Sequence, residues 1–149
     1  MRRIRPYFAS DVKAIDEVMA PFKDADYHAV HDINLVTGQA DHAIVGPSGV
    51  YSLVTQHSSV TSSGARKRAI EHGVLVRRQL AAGGAEWKVT PVVVLMWDRA
   101  PKGITELKSH SVVDLASLGK WVKGRPLRLE PIELSMALSA ITPSTGFFK

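Results

Sequence analysis

Asp41 is the one carboxylate in a long run of apolar and turn residues, GQADHAIVGPSGVYSLVTQHS (38–58). A carboxylate in an apolar strand is costly to bury unless a cation or hydrogen-bond donors pair with it. A divalent metal is one such partner, and magnesium takes several oxygen ligands. If Asp41 binds a metal, the following strand is expected to supply further ligands.

The chemistry that such a site would perform is metal-dependent hydrolysis of phosphodiesters. It needs an acid on the first strand, and on the second strand another acid followed two residues later by a lysine. The acids bind the metal, while the lysine orients the attacking water and stabilises charge developing on the phosphate. Because side chains alternate along a strand, Ser52, Val54 and Gln56 share one face of the second strand.

Hydrophobic periodicity predicts the elements that would position these residues. Apolar residues at helical spacing predict helices over 11–23, 65–82, 115–123 and 130–141. Alternation and apolar runs predict strands over 27–35, 40–45, 50–56, 87–97 and 111–115, with the turn GPSG (46–49) between the second and third. The apolar strand 87–97 is expected at the sheet centre. The order αβββαβ, followed by a strand and helices, predicts an α/β fold with a mixed central sheet flanked by helices.

Length and composition limit the classes of protein that this chain could be. At 149 residues it is expected to form a single domain, 1–149. The absence of cysteine excludes disulfides, thiol catalysis and cysteine–zinc sites. No secretory signal and no apolar run of about 18 residues is evident, so we expect a soluble, cytoplasmic protein with no membrane partner.

The balance of charge favours a polyanionic partner. The net charge is +5 and the pI about 9.7, and lysine and arginine neutralise phosphates in nucleic acids. The predicted helix 65–82 contains the main cluster of cations, and these are the expected DNA-binding residues: Arg66, Lys67, Arg68, Arg77 and Arg78. The alternative is that this face of the helix is only solvated. A smaller basic cluster follows at Lys120, Lys123, Arg125 and Arg128.

The stretch DYHAVHDINLVTGQADHAIVGPSGVYSLVTQHS (26–58) resembles the nuclease-related domain, NERD, a branch of the PD-(D/E)XK nuclease-like superfamily. The similarity extends over 27–139, through the hydrophobic PVVVLMW strand and the short VVDL strand, and DHAIVGPSGVY is its most specific part. The resemblance implies a restriction-endonuclease-like core with its metal site on the second and third strands.

The chain departs from the family's motif at two of three positions. The first acid falls on Asp41, but Val54 stands at the second acid and Gln56 at the lysine. Val54 cannot bind a metal, so Asp41 would be at most a weak metal ligand. Glu71 on the helix 65–82 is the best candidate for a relocated acid, and Glu17 on the first helix is another. Alternatively, Asp41 is a leftover carboxylate satisfied by backbone N–H groups or by an arginine.

Two functions follow from this resemblance and its departures. The favoured one is a catalytically degenerate nuclease-like domain that binds DNA, or a protein partner, without cleavage and without a cofactor. The alternative is an active magnesium-dependent DNA nuclease that works through Asp41, Gln56 and Glu71. A third possibility is a purely structural or regulatory domain, encoded by a phage or mobile element. The histidines show no metal-ligand spacing, and we expect His42 on the strand face opposite Asp41.

Overall fold

The computed structural model describes residues 9–35, 38–59, 63–84 and 87–142. Its helices are α1 (Ala9–Met19), α2 (Ser63–Ala82), α3 (Leu115–Gly124) and α4 (Pro131–Ile141), and a short 3-10 helix, Ala20–Ala25, continues α1. Its strands are β1 (His28–Leu35), β2 (Gly38–Gly46), β3 (Gly49–Gln56), β4 (Val89–Leu95), β5 (Ile104–Glu106) and β6 (Ser111–Asp114). The predicted order of elements is confirmed, with one strand added.

The strands form one mixed six-stranded sheet with the order β1-β2-β3-β4-β6-β5. The first three pair antiparallel as a meander, and α2 then carries the chain across to β4, which pairs parallel with β3. The predicted α/β class with a mixed, helix-flanked sheet is therefore confirmed. The strand β4 lies between β3 and β6, parallel to both, as its continuous apolar run predicts.

The turn between β2 and β3 has the chemistry that its sequence predicts. Gly46 and Gly49 pair across it, and Gly49 has φ of +140°, a conformation that glycine adopts without steric cost. Ser48 lies buried at the tip, where its Oγ is 2.6 Å from the Tyr51 hydroxyl and donates to the Val122 carbonyl of α3 at 2.7 Å. The hairpin is thereby attached to the helix packed below it.

The strand β5 lies in a stretch for which the sequence predicts no strand. Its three residues are all exposed, so no alternation of apolar and polar residues marks them. Pro101 and Gly103 before it are also typical of a loop. The strand forms because β6 presents an open edge, on which Ile104 pairs with Val113 and Glu106 with Ser111. Gly103 N–H also donates to the Asp114 carboxylate at 2.7 Å.

Helices cover both faces of the sheet. On one face, α1 and α3 pack their apolar residues against Ile44, Leu53 and Val92. On the other face, α2 and α4 pack against strands β1 to β4 in two further apolar clusters. Within the described residues, no helix is both long enough and apolar enough to span a bilayer. The strands β2 and β3 are therefore covered by α1 and α3 on one side and by α2 and α4 on the other.

Candidate functional site

Asp41 lies in β2 on the sheet face that α2 covers, with only 1% of its surface exposed. Its carboxylate Oδ2 is 3.8 Å from Nε of Arg68, on the first half of α2. Its backbone N–H donates to Nδ1 of His72, one helical turn further along, at 3.3 Å. The Asp41 cluster thus consists of Asp41, Arg68 and His72, and its cation is a guanidinium of the chain itself.

Arg68 is directed toward the sheet and is not free in solvent. Its side chain is 28% exposed, and Nη2 donates to the backbone carbonyl of Thr55 at 3.4 Å. A carboxylate and a guanidinium that are both mostly removed from water need one another, because leaving either charge alone in the interior is strongly destabilising. The ion pair therefore has a structural role in attaching α2 to strands β2 and β3.

The second-acid position of the family motif, Val54, lies inside the apolar core. It has no exposed surface and packs with Ala65 and Ala69 of α2 and Val93 of β4. Gln56, at the lysine position, lies half-buried at the end of β3, and its side-chain amide donates to the Ser58 carbonyl at 2.9 Å. At this end of β3, Val54 therefore contributes apolar packing and Gln56 contributes a local hydrogen bond.

Neither candidate for a relocated acid is buried beside Asp41. Glu71 is exposed on α2. Glu17 is exposed on α1, whose buried residues pack on the opposite face of the sheet. Across the ranges that the structure describes, no group of three or more histidine, aspartate or glutamate side chains is arranged to hold a metal ion.

A second buried aspartate lies on the opposite side of the same strand end, and its contacts with the sheet were not predicted. Asp11 of α1 is 1% exposed, and its Oδ2 accepts hydrogen bonds from Thr55 Oγ1 at 2.8 Å and His57 Nε2 at 2.9 Å. An ionised carboxylate only accepts hydrogen bonds, so the His57 ring donates from Nε2. Thr55 and His57 share the strand face opposite Val54, and this alternation was the signal available in the sequence.

His42 lies on the α1 face, opposite Asp41, as its position in the strand predicts. It is fully buried, and its Nδ1 is 2.9 Å from Nδ1 of His31, whose Nε2 is 2.6 Å from Oδ1 of Asp16. If the Asp16 carboxylate accepts from Nε2, a neutral His31 ring must accept at Nδ1 from His42. The two rings thus form a directed hydrogen-bond chain from the core to the surface.

The predicted DNA-binding cations divide into two groups along α2. Arg66 and Lys67 are exposed in its first turns, and Arg77 and Arg78 are exposed near its end. At 1.5 Å per residue, Arg66 and Arg77 stand about 16 Å apart along the helix axis. Arg68 differs from the other four because it belongs to the Asp41 cluster. The exposed cations therefore flank both ends of one sheet face.

Comparisons with family models, with curated proteins and with solved structures found no match to this chain.

Proposed function

We propose that the chain is a nuclease-fold domain with a degenerate metal centre, and that it binds DNA without cleaving it. The order of elements supports this proposal, since an antiparallel meander, a crossover helix and a parallel strand follow α1 in the order that the NERD resemblance implies. In this proposal the core is restriction-endonuclease-like, and Asp41 is the remnant of its first metal ligand.

The observation that carries the proposal is the pairing of Asp41 with Arg68. A magnesium ion beside Asp41 would need several oxygen ligands, but the next position along β3 on that side is the apolar Val54. A fixed guanidinium beside the carboxylate supplies the positive charge instead and repels a second cation. In this proposal the buried Asp41 carboxylate contributes to stability through Arg68 and binds no metal.

DNA binding is supported by the exposed cations of α2, Arg66, Lys67, Arg77 and Arg78. Cations that neutralise phosphates release counterions, so affinity for DNA should fall steeply with salt. The double variant Arg77→Ala/Arg78→Ala should weaken binding to all DNA sequences alike, because phosphates carry no sequence information. Affinity that is insensitive to both salt and this variant would count against α2 as the binding surface.

The test of the whole proposal is cleavage of supercoiled and linear DNA with magnesium or manganese, with Asp41→Ala as the control. We expect no cleavage, together with salt-sensitive binding. Cleavage that Asp41→Ala abolishes would overturn the proposal in favour of a magnesium-dependent nuclease, and Glu71 would then be the acid to replace next. The absence of both cleavage and binding would redirect the search to a protein partner.

A further inference from the structure

A basic groove lies at the other end of the sheet from the Asp41 cluster. Its main part is a cleft of about 270 Å³ bounded by the second half of α2, the start of β4 and the turn between β5 and β6. A neighbouring hollow of about 460 Å³ lies beside α2 and the residues that lead into β4. Arg77 and Lys88 line both, so the cleft and the hollow adjoin one another, and together they are called the basic groove.

Cations from four separate segments of the chain converge on this groove. They are Arg77 and Arg78 of α2, Lys88 before β4, Lys108 in the β5–β6 turn, and Arg125 after α3. Among the described residues that line the groove, Glu106 is the only carboxylate. Its Oε2 accepts a hydrogen bond from Trp121 Nε1 at 3.2 Å. The lining is therefore strongly positive, and it is complementary to a chain of phosphates.

Arg125 is held in place before any ligand arrives. Its guanidinium carbon lies 5.5 Å from the centre of the Tyr51 ring and 5.2 Å from the centre of the Trp121 ring. Its Nη1 donates to Thr90 Oγ1 at 3.4 Å. A guanidinium fixed against aromatic rings keeps further N–H donors, and a phosphate can accept from them with little additional loss of side-chain entropy.

The hollow adds an aromatic ring to these cations. Trp87 lines it together with Arg77, Arg78 and Lys88, while part of the same side chain packs against the apolar core below α2 and α4. The Trp87 side chain is therefore half-buried, with part of its ring left at the surface of the hollow. Cations that follow a backbone beside an aromatic ring that can stack on a base are the features by which proteins bind single strands.

The strand register separates the groove from the Asp41 cluster. The groove includes Val89 to Pro91, which pair with Val50 to Ser52, whereas Asp41 precedes His42, the partner of Leu53. Two to four residues along the strands and two strand spacings separate the groove from Asp41, a distance of roughly 12 to 16 Å. A ligand in the groove therefore contacts a different set of residues from the Asp41 cluster.

We propose that this basic groove binds single-stranded DNA, with phosphates along Arg77, Lys88, Lys108 and Arg125 and a base against Trp87. The inference rests on the proposed DNA-binding function and specifies its surface. A concave, nucleotide-sized cleft admits a flexible single strand, whereas the rigid, wide duplex would contact only its rim. Asp41 does not line the groove, so binding there does not depend on the Asp41 cluster.

The test compares two double variants that remove the same charge from exposed positions. Lys88→Ala/Lys108→Ala alters the groove, and Lys13→Ala/Lys23→Ala alters α1 and the 3-10 helix that continues it, on the other face of the sheet. Binding of a fluorescently labelled 12-nucleotide single strand, and of the corresponding duplex, is measured by anisotropy over a range of salt concentrations. Thermal melts check that each variant remains folded.

We expect the groove variant to lose affinity for the single strand by about tenfold or more, and its slope of log K against log salt to decrease by about 1.4, as two lost phosphate contacts predict. The control variant Lys13→Ala/Lys23→Ala should lose less than about threefold. Trp87→Leu should weaken single-strand binding by about tenfold, whereas Trp97→Leu, a tryptophan outside the groove, should leave it unchanged.

Three results would overturn the groove as the site. Equal losses in the two double variants, or a larger loss in Lys13→Ala/Lys23→Ala, would place DNA elsewhere on the chain while leaving the proposed DNA-binding function intact. Tighter binding of the duplex than of the single strand would contradict the single-strand assignment. Wild-type protein that binds neither DNA would overturn the proposed function together with the groove.

Discussion

Charged side chains are buried and paired at the carboxyl end of β3, whereas those in the basic groove at the start of β4 remain largely at the surface. At the end of β3, Asp41 is buried against Arg68, and on the other face Asp11 is buried against Thr55 and His57. In the groove, the lysines and arginines remain at the surface around a single lining carboxylate in the described chain. At the end of β3 the charged side chains pair within the chain and stabilise the fold, whereas the cations of the groove remain available to a ligand.

This contrast separates the nuclease resemblance from the DNA-binding proposal. The residues that carry the NERD resemblance lie in or beside the buried contacts of Asp41 and Asp11. These contacts attach α2 and α1 to the sheet. The groove residues that could bind DNA lie roughly 12 to 16 Å from Asp41. In the proposed function, Arg68 neutralises the acid of a lost metal centre, so the fold is kept, and DNA binds at a separate surface. The contrast can be tested by making matched changes at the two ends.

The largest effect is expected from returning an acid to position 54. Val54→Glu places a carboxylate in an apolar cluster with no exposed surface, next to Ala65 and Ala69. Burying such a group without a dedicated partner should lower the free energy of unfolding by about 3 kcal/mol or more. Chemical denaturation monitored by circular dichroism measures the change.

The control at the other end is Leu107→Glu, because Leu107 lines the basic groove with 51% of its surface exposed. Its effect on stability should stay within about 0.5 kcal/mol. If Val54→Glu were equally harmless, position 54 would be open to water or already close to a cation. That result would contradict the proposal that a buried apolar residue has replaced the second metal ligand.

The next largest effect distinguishes the two kinds of arginine. Arg68→Met leaves the Asp41 carboxylate buried without its guanidinium, so we expect a loss of about 2 kcal/mol. Arg77→Met removes an exposed cation from a positive groove and should change stability by less than about 0.5 kcal/mol. Denaturation of both variants under identical conditions measures the difference. Equal losses would mean that the Asp41–Arg68 pair has no special structural role.

The fold was largely predictable because its signals are local. Strand alternation, the GPSG turn and the apolar run of β4 each depend on residues that are close in sequence, and the structure reproduces them to within a few residues. The strand β5 was not predictable, since its pairing depends on the open edge of β6 and its own residues lack any pattern. The position of His42 opposite Asp41 also followed from alternation alone.

The partners of the buried charges were much harder to predict. An arginine partner for Asp41 was one open alternative, but five cations on one helix could not be ranked without knowing which of them faces the sheet. Thr55 and Asp11 are 44 residues apart, and only the packing of α1 on the sheet brings them together. The basic groove draws on four segments of chain, and its cations, including Lys88 and Lys108, are unremarkable when each is taken alone.

A smaller effect should separate two aspartates of α1 that both bind histidine. Asp11→Asn removes a buried charged acceptor from Thr55 and His57, and hydrogen bonds to charged groups contribute more than neutral ones, so we expect a loss of about 1.5 kcal/mol. Asp16→Asn alters an exposed pair with His31 and should cost less than about 0.5 kcal/mol. Thermal denaturation at pH 7 compares the two variants. A larger loss in Asp16→Asn would place the stabilising contact of α1 at the surface.

The smallest effect concerns His110, which is buried beside the basic groove with its Nδ1 2.9 Å from Ser109 Oγ. Burial lowers the pKa of His110 below its usual value, and the charge of Arg66 lowers it further. The unfolded chain therefore takes up this proton first as the pH falls. The contribution of His110 to stability is complete above about pH 6.5 and is lost as the pH drops from there through the folded-state pKa.

NMR titration of the His110 ring should give a pKa below 6.5, and Arg66→Met should raise it by removing one nearby positive charge. The variant His110→Asn should make stability less sensitive to pH between about 7 and 5.5, above the range in which most carboxylates titrate. A pKa of His110 that does not respond to Arg66→Met would mean that the positive charges of α2 are fully screened there. In that case electrostatic attraction along the groove would be weaker than its cations imply, and phosphate binding would depend chiefly on direct contacts such as those of Arg125.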